Sequence, residues 1–269
     1  MEYRYQNRVK IYQNRRKKQL LRIRFAIVMA GICLILILLG SNVINYLKGL
    51  QMNDAEQART FLNISEEQIP TELRDMLERN EETLEFVTNY NNRDEYLNQE
   101  IDISNDITAG DVPLFMQWDL RWGYTSYGTD NVGLSGCGPV CMSMAYVYLT
   151  GSTDVNPKEM AEFSKEQGYT TEAGTSWSLM TDGAAKLGLT GAEISLNEGT
   201  LKSALDRGSV IICSMSPGDF TTTGHFILIK GYEGNNFIVN DPNSRKNSEK
   251  QWSYDTLASQ MKCLWEISL

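Results

Sequence analysis

The chain has 269 residues, enough for one or two domains, and its 42% apolar and 22% charged residues exclude a disordered polypeptide. Five cysteines without framework spacing exclude a disulfide-stapled miniprotein, and a single histidine excludes a His-rich metal centre. The net charge of −9 hides two parts of opposite sign: residues 1–24 carry nine Lys and Arg against Glu2, a charge of +8, and the remainder carries −17. An acidic body of that size repels phosphate backbones, which makes nucleic acid a poor partner.

The basic leader is followed by an uncharged stretch of 23 residues, Phe25 to Leu47, that opens with FAIVMAGICLILILL. As a helix it is long enough to cross the hydrocarbon core of a bilayer, for which about 20 residues suffice. A cleaved signal peptide is the competing reading, but the basic leader is long and no A-x-A-like site follows the apolar run. The positive flank assigns residues 1–24 to the cytoplasm and residues 48–269 to the outside. Cys33 belongs to this span.

Residues 48–110 read as an acidic helical stalk or linker. Ser65 with Gln68 fits a capping box, Leu73, Met76 and Leu77 recur at helical spacing, and Leu84, Phe86, Val87 and Tyr90 do so again. Asn80 is placed to cap the second helix. Glu66, Glu67, Glu81, Glu82 and Glu85 read as a solvated helix face rather than a cation site, since no Asx-Gly loop accompanies them. Asn63-Ile64-Ser65 matches a glycosylation sequon, which matters only in a eukaryotic secretory setting. Residues 91–110 are polar and weakly periodic, and a domain boundary is expected there, with the folded domain at 111–269.

In that domain Ser135-Gly136-Cys137-Gly138-Pro139 opens a segment, Val140 to Leu149, that reads as a buried helix ending at Gly151. Small neighbours leave the Cys137 sulfur uncrowded, and Pro139 suits a first helical turn. The positive end of the helix dipole and its free N–H groups favour a thiolate there, the form in which cysteine is a nucleophile. Cys141 and Cys213 read instead as small buried apolar residues, and Cys263 has no company of interest.

A base has one candidate, His225. It begins an aliphatic strand, His225 to Tyr232, followed by a hairpin at Glu233-Gly234-Asn235-Asn236 and a second strand ending in Asn240-Asp241-Pro242. Strands joined this tightly set the start of the first beside the end of the second, so His225 and Asp241 are expected neighbours. A carboxylate there holds one ring nitrogen and leaves the other free to take a thiol proton.

These residues resemble the peptidase C39-like (family 2) group of papain-fold cysteine peptidases. The resemblance covers about residues 111–269 and rests on four motifs in order: Gln117-Trp118-Asp119-Leu120-Arg121-Trp122-Gly123, Gly136-Cys137-Gly138-Pro139, Gly224-His225-Phe226 and Asn240-Asp241-Pro242. It implies an α+β fold, with a helical lobe carrying Cys137 and an antiparallel sheet carrying His225 and Asp241. Strands are expected at 210–215, 225–232, 237–240 and 264–267. It implies Cys137 as nucleophile, His225 as general base and acid, Asp241 as orienter and Gln117 as oxyanion donor, with no cofactor, no metal and a peptide or protein substrate. The residues alone read Gln117 equally well as a surface glutamine, and Asn240 competes with Asp241, because strand alternation lets only one face His225. The family pattern favours Asp241.

Some relatives of this kind are fused to transporters and cleave after double glycine. This sequence shows neither an ATP-binding motif nor several spans, so that specificity does not carry over. The tether points to the bacterial cell surface. Trp177, after a cap at Gly174-Thr175-Ser176, reads as a cleft residue or as a buried core tryptophan. Two other function classes stay open: a binding module that keeps the fold, and a zinc site using Cys137, Cys141 and His225, whose spacing fits zinc poorly.

Overall fold

The computed structural model describes residues 69–172 and 174–269. The expected membrane segment, the Ser65–Gln68 capping box and the Asn63 sequon lie outside them. Among the described residues no helix is long and apolar enough to cross a membrane. The described residues belong to one compact unit.

The unit opens with α1, Thr71–Arg79, which begins after Pro70 and buries the stripe Leu73, Met76 and Leu77. Asn80 ends it and accepts from the Glu82 N–H at 3.1 Å, capping the next turn as its side chain predicts. A short α2, Leu84–Thr88, buries Phe86 and Val87. The stretch read as a linker also contributes to the interior: Ile103 packs in the same apolar cluster as Phe115 and Trp122.

Helix α3, Cys137–Thr150, runs through the middle of that cluster. It is apolar around nearly its whole circumference, the pattern of a helix enclosed on all sides. Gly136 precedes it, Pro139 falls in the first turn where a missing N–H breaks no helical bond, and Gly151 closes it in the left-handed conformation. Helix α4, Pro157–Glu166, packs against α3, and α5, Glu198–Asp206, lies against the strands.

The sheet is six-stranded and antiparallel throughout. Its strands are β1 (Thr190–Glu193), β2 (Val210–Met215), β3 (His225–Glu233), β4 (Asn236–Asn240), β5 (Gln251–Ser253) and β6 (Met261–Ser268). The spatial order is β1-β6-β2-β3-β4-β5. Alternation along β2 sends Val210 and Ile212 to the α3 side and Ile211, Cys213 and Met215 to a second cluster with Leu201, Ala204 and Leu257. Both faces are thus covered, which is why β2 is an unbroken apolar run. The mixed α+β fold and the four expected strands are present.

Candidate active site

Three elements converge at one end of the sheet. The tight hairpin supplies two side chains. Gly234, with φ +60°, takes the first central position of a two-residue turn, and Glu233 pairs with Asn236. Leu228 pairs with Asn240, which brings Asp241 beside Ile227 and makes His225 its diagonal neighbour. The ring Nε2 of His225 lies 2.7 Å from Asp241 Oδ1, and both side chains are buried. The Cys137 thiol, at the first position of α3, lies near enough to the same ring to favour its charged form. With Nε2 turned to Asp241, Nδ1 is the nitrogen left for Cys137.

Asp241 is held from several directions. Its Oδ1 also accepts from the Asn243 N–H at 2.9 Å, its Oδ2 accepts from Asn247 Nδ2 at 2.8 Å, and its own N–H donates to Ser248 Oγ at 2.9 Å. Asn240 points elsewhere: its Nδ2 donates to the Val112 and Pro113 carbonyls at 3.3 and 2.9 Å. Of the two neighbours, the aspartate is the one that faces the histidine.

The electrostatics follow from these contacts. Burial opposes a charge on the His225 ring, but the Asp241 carboxylate and the Cys137 sulfur favour it more strongly, and the ring is pushed up to about 10. Burial pushes the Cys141 and Cys213 thiols well up, and desolvation beside Glu193 raises Cys263. Among the cysteines of the described residues, only Cys137 is partly exposed and lines the cleft.

That cleft has a volume of about 450 Å³. Gln117 is among its lining residues, 4% exposed, with its backbone N–H donating to the Pro242 carbonyl at 2.7 Å. Its Nε2 donates one proton to the Gly133 carbonyl at 2.7 Å, which leaves the second without an acceptor among the described residues. The Ser216–Gly224 loop between β2 and β3 forms one rim, where Gln260 grips Asp219 through Nε2 to Oδ2 at 2.7 Å and accepts its N–H at 2.6 Å. Met76, Arg79 and Asn80 form part of the wall. Trp177 neither lines the cleft nor is buried; it is 47% exposed and meets Trp265 edge-on at 5.4 Å.

Two contributors escaped the sequence reading. Asn247 sits in a polar run, N-S-R-K-N-S, that reads as a plain turn, and no local signal singles it out. Glu82 corrects an expectation: it does not belong to a solvated face. Its Oε1 accepts from Ser244 Oγ at 2.9 Å and from the Lys246 N–H at 3.4 Å, and its Oε2 accepts from the Arg245 N–H at 2.9 Å. Glu81 likewise pairs with Lys246. The partners lie more than 160 residues away, so periodicity could not find them.

A partly exposed thiol near a buried imidazole–carboxylate pair, with a glutamine amide lining the same cleft, is an arrangement suited to attack on a carbonyl carbon. The chain belongs to the Peptidase_C39 like family, which matches residues 109–268. Among solved structures it is similar to the peptidase domain of Streptococcus ComA, a bi-functional ABC transporter involved in a quorum-sensing pathway. That match has 22% identity and a TM-score of 0.40, over 54% of this chain and 96% of that one. It is also similar to a Bacillus anthracis protein described as a C39-like peptidase, at 14% identity and a TM-score of 0.36, over 60% of this chain and 96% of that one. No protein of curated function matches the chain.

Proposed function

We propose that the protein is a membrane-anchored cysteine peptidase acting outside the cell on peptide or protein substrates. The observation that carries this reading is the 2.7 Å contact of the buried His225 ring with Asp241, with the partly exposed Cys137 thiol near that ring and lining an open cleft. In the proposed reaction His225 takes the Cys137 proton, and the thiolate attacks the carbonyl carbon of the scissile amide. The C–N bond breaks, its electron pair leaves on the amine, and the imidazolium gives that amine its proton. Water, losing a proton to the neutral ring, then cleaves the thioester, and the ring returns the proton to Cys137 as its sulfur leaves. Asp241 fixes the tautomer and favours the imidazolium. The backbone N–H of Cys137, at a helix start where it has no helical acceptor, and the free Nε2 proton of Gln117 stabilise the oxyanion.

Residues 25–47 serve as a single span, with 1–24 cytoplasmic and 48–269 outside, at the bacterial cell surface. Protease added to intact cells should then remove the C-terminal domain, and full protection of that domain would refute this topology.

Alkylation tests the chemistry. Iodoacetamide at pH 6 should label Cys137 in preference to the buried Cys141, Cys213 and Cys263. The labelling should nearly vanish in His225→Ala and weaken less in Asp241→Ala, where the base remains but is poorly held. Equal, slow labelling of wild type and His225→Ala would make Cys137 an ordinary thiol, and the domain a binding module that keeps the fold.

A further inference from the structure

Residues 71–98 lie outside the segment that matches the family, yet they are bonded to the loop that carries Asp241. We propose that the turn Asn80–Glu82 is a clamp that sets Asp241 against His225, with Glu82 as its positioning residue. The proposal rests on the peptidase reading above and adds to it a structural control on the strength of the base.

The clamp is built from complementary groups. Asn80 Nδ2 donates to the Asn243 carbonyl at 2.6 Å. The Glu82 carboxylate takes the Ser244 hydroxyl and two successive backbone N–H groups, of Arg245 and Lys246, at the open start of the helical turn Arg245–Ser248. Bonds to an ionised acceptor are stronger than neutral ones, and a carboxylate is favoured at a helix start. Glu81 adds the ion pair with Lys246. All of these contacts fall on residues 243–246.

The clamped residues and the one that follows them hold both oxygens of Asp241. The Asn243 N–H donates to Oδ1, the oxygen that meets His225, and Asn247 Nδ2 holds Oδ2. Only Pro242 separates Asp241 from the clamped segment. A displacement of 243–247 is therefore a displacement of the carboxylate, and a hydrogen bond of 2.7 Å weakens steeply with distance and angle. The loop has other supports, Trp118 Nε1 to the Asn243 carbonyl at 3.1 Å and Trp252 Nε1 to the Asn247 carbonyl at 3.0 Å. These reach a carbonyl at each end, and neither occupies the N–H groups that Glu82 binds.

The titratable groups that face His225 are Asp241, from the end of β4, and Cys137, from α3. Cys141, one turn further along α3, feels both of these. Around the clamp itself stand Glu81 with Lys246, and Arg245, which lies over the Trp118 ring. Loosening the clamp weakens the Asp241 contact and leaves the other neighbours of His225 in place. The imidazolium then loses its proton at lower pH.

The test uses the full chain and iodoacetate, an anionic probe attracted by the imidazolium. Its rate of reaction with Cys137 should rise with the thiolate and fall when His225 loses its charge. In Glu82→Ala the alkaline limb should move to lower pH by about half a unit to one unit, as expected for partial loss of one charge-assisted contact. Asn80→Ala should move it in the same direction by less, and Glu78→Gln, exposed on α1, should leave it in place. Glu82→Gln keeps the side-chain shape and one acceptor oxygen; it should show the same shift if the alanine variant does not fold. Superimposable profiles for wild type, Glu82→Gln and Asn80→Ala would overturn the clamp. A wild-type rate with no alkaline fall, or one unchanged in His225→Ala, would overturn the peptidase reading itself, and the clamp with it.

Discussion

The β3–β4 hairpin and the helical segment at residues 71–98 reach the same cleft by different routes. The hairpin carries its geometry in its own sequence: a two-residue turn fixes the register, and the register sets Asp241 diagonal to His225. The helical segment has an ordinary amphipathic pattern that says which face is buried but not against what. Its Phe86 and Glu82 acquire meaning only through distant partners: Gly123 and Gly133 for the ring, Ser244 to Lys246 for the carboxylate. Chemistry can thus be encoded locally while the support of that chemistry is encoded across the whole chain.

The largest expected effect tests whether that helical segment is part of the domain or an appended stalk. Phe86 is fully buried, stacks on Tyr124 at 4.5 Å between centroids, and fills space that only glycines leave. A Cβ at Gly133 or Gly123 would fall 2.4 or 2.6 Å from its ring. Phe86→Ala should therefore cost about 3–5 kcal/mol in urea unfolding of the whole domain. A loss below about 1 kcal/mol, within the range of surface substitutions and minor repacking, would make the segment an accessory stalk.

The same contrast explains what the sequence discloses. Helix α3 is legible because glycine, proline and an unbroken apolar run are local signals, and so is the Asn80 cap, whose acceptor and donor are two residues apart. Four of the six strands, β2, β3, β4 and β6, are legible from aliphatic and β-branched runs, whereas the short β1 and β5 are not. The choice between Asn240 and Asp241 is not, because it depends on the Val112 and Pro113 carbonyls that claim Asn240. Ile103 sits in a polar stretch without periodicity, so nothing local marks it as core. Glu82 and Asn247 look like solvated polar residues until the fold turns them toward Asp241's loop.

The second prediction sharpens the comparison at the residue that lies between the two regions. Gln117 is tied to the hairpin's exit through Pro242, and its Nε2 leans on Gly133, the glycine that Phe86 packs against. Gln117→Ala should slow peptide hydrolysis by about 10²–10³ in kcat, the usual loss for one oxyanion donor. Iodoacetamide labelling of Cys137 should stay close to wild type, because the thiolate and its imidazolium partner are untouched. A parallel fall in labelling and hydrolysis would mean that Gln117 supports the thiolate rather than the oxyanion.

The smallest expected effect asks whether the helical segment also touches substrate. Arg79 ends α1, is exposed at the cleft wall and has no ion-pair partner among the described residues. Asp219 also lines the cleft but forms no ion pair with Arg79, so Arg79 is available to an acidic group on a bound peptide. An exposed pair of this kind is worth about 0.2–1 kcal/mol, or up to about fivefold in affinity, and salt screens it. Arg79→Glu should raise KM by that factor for peptides with Asp or Glu near the cleaved bond and lower it for those with Lys or Arg, with kcat unchanged. The difference between the two peptide classes should shrink as ionic strength rises. Equal changes for acidic, neutral and basic peptides would show that α1 shapes the cleft without reading its occupant, and would confine the segment's role to support.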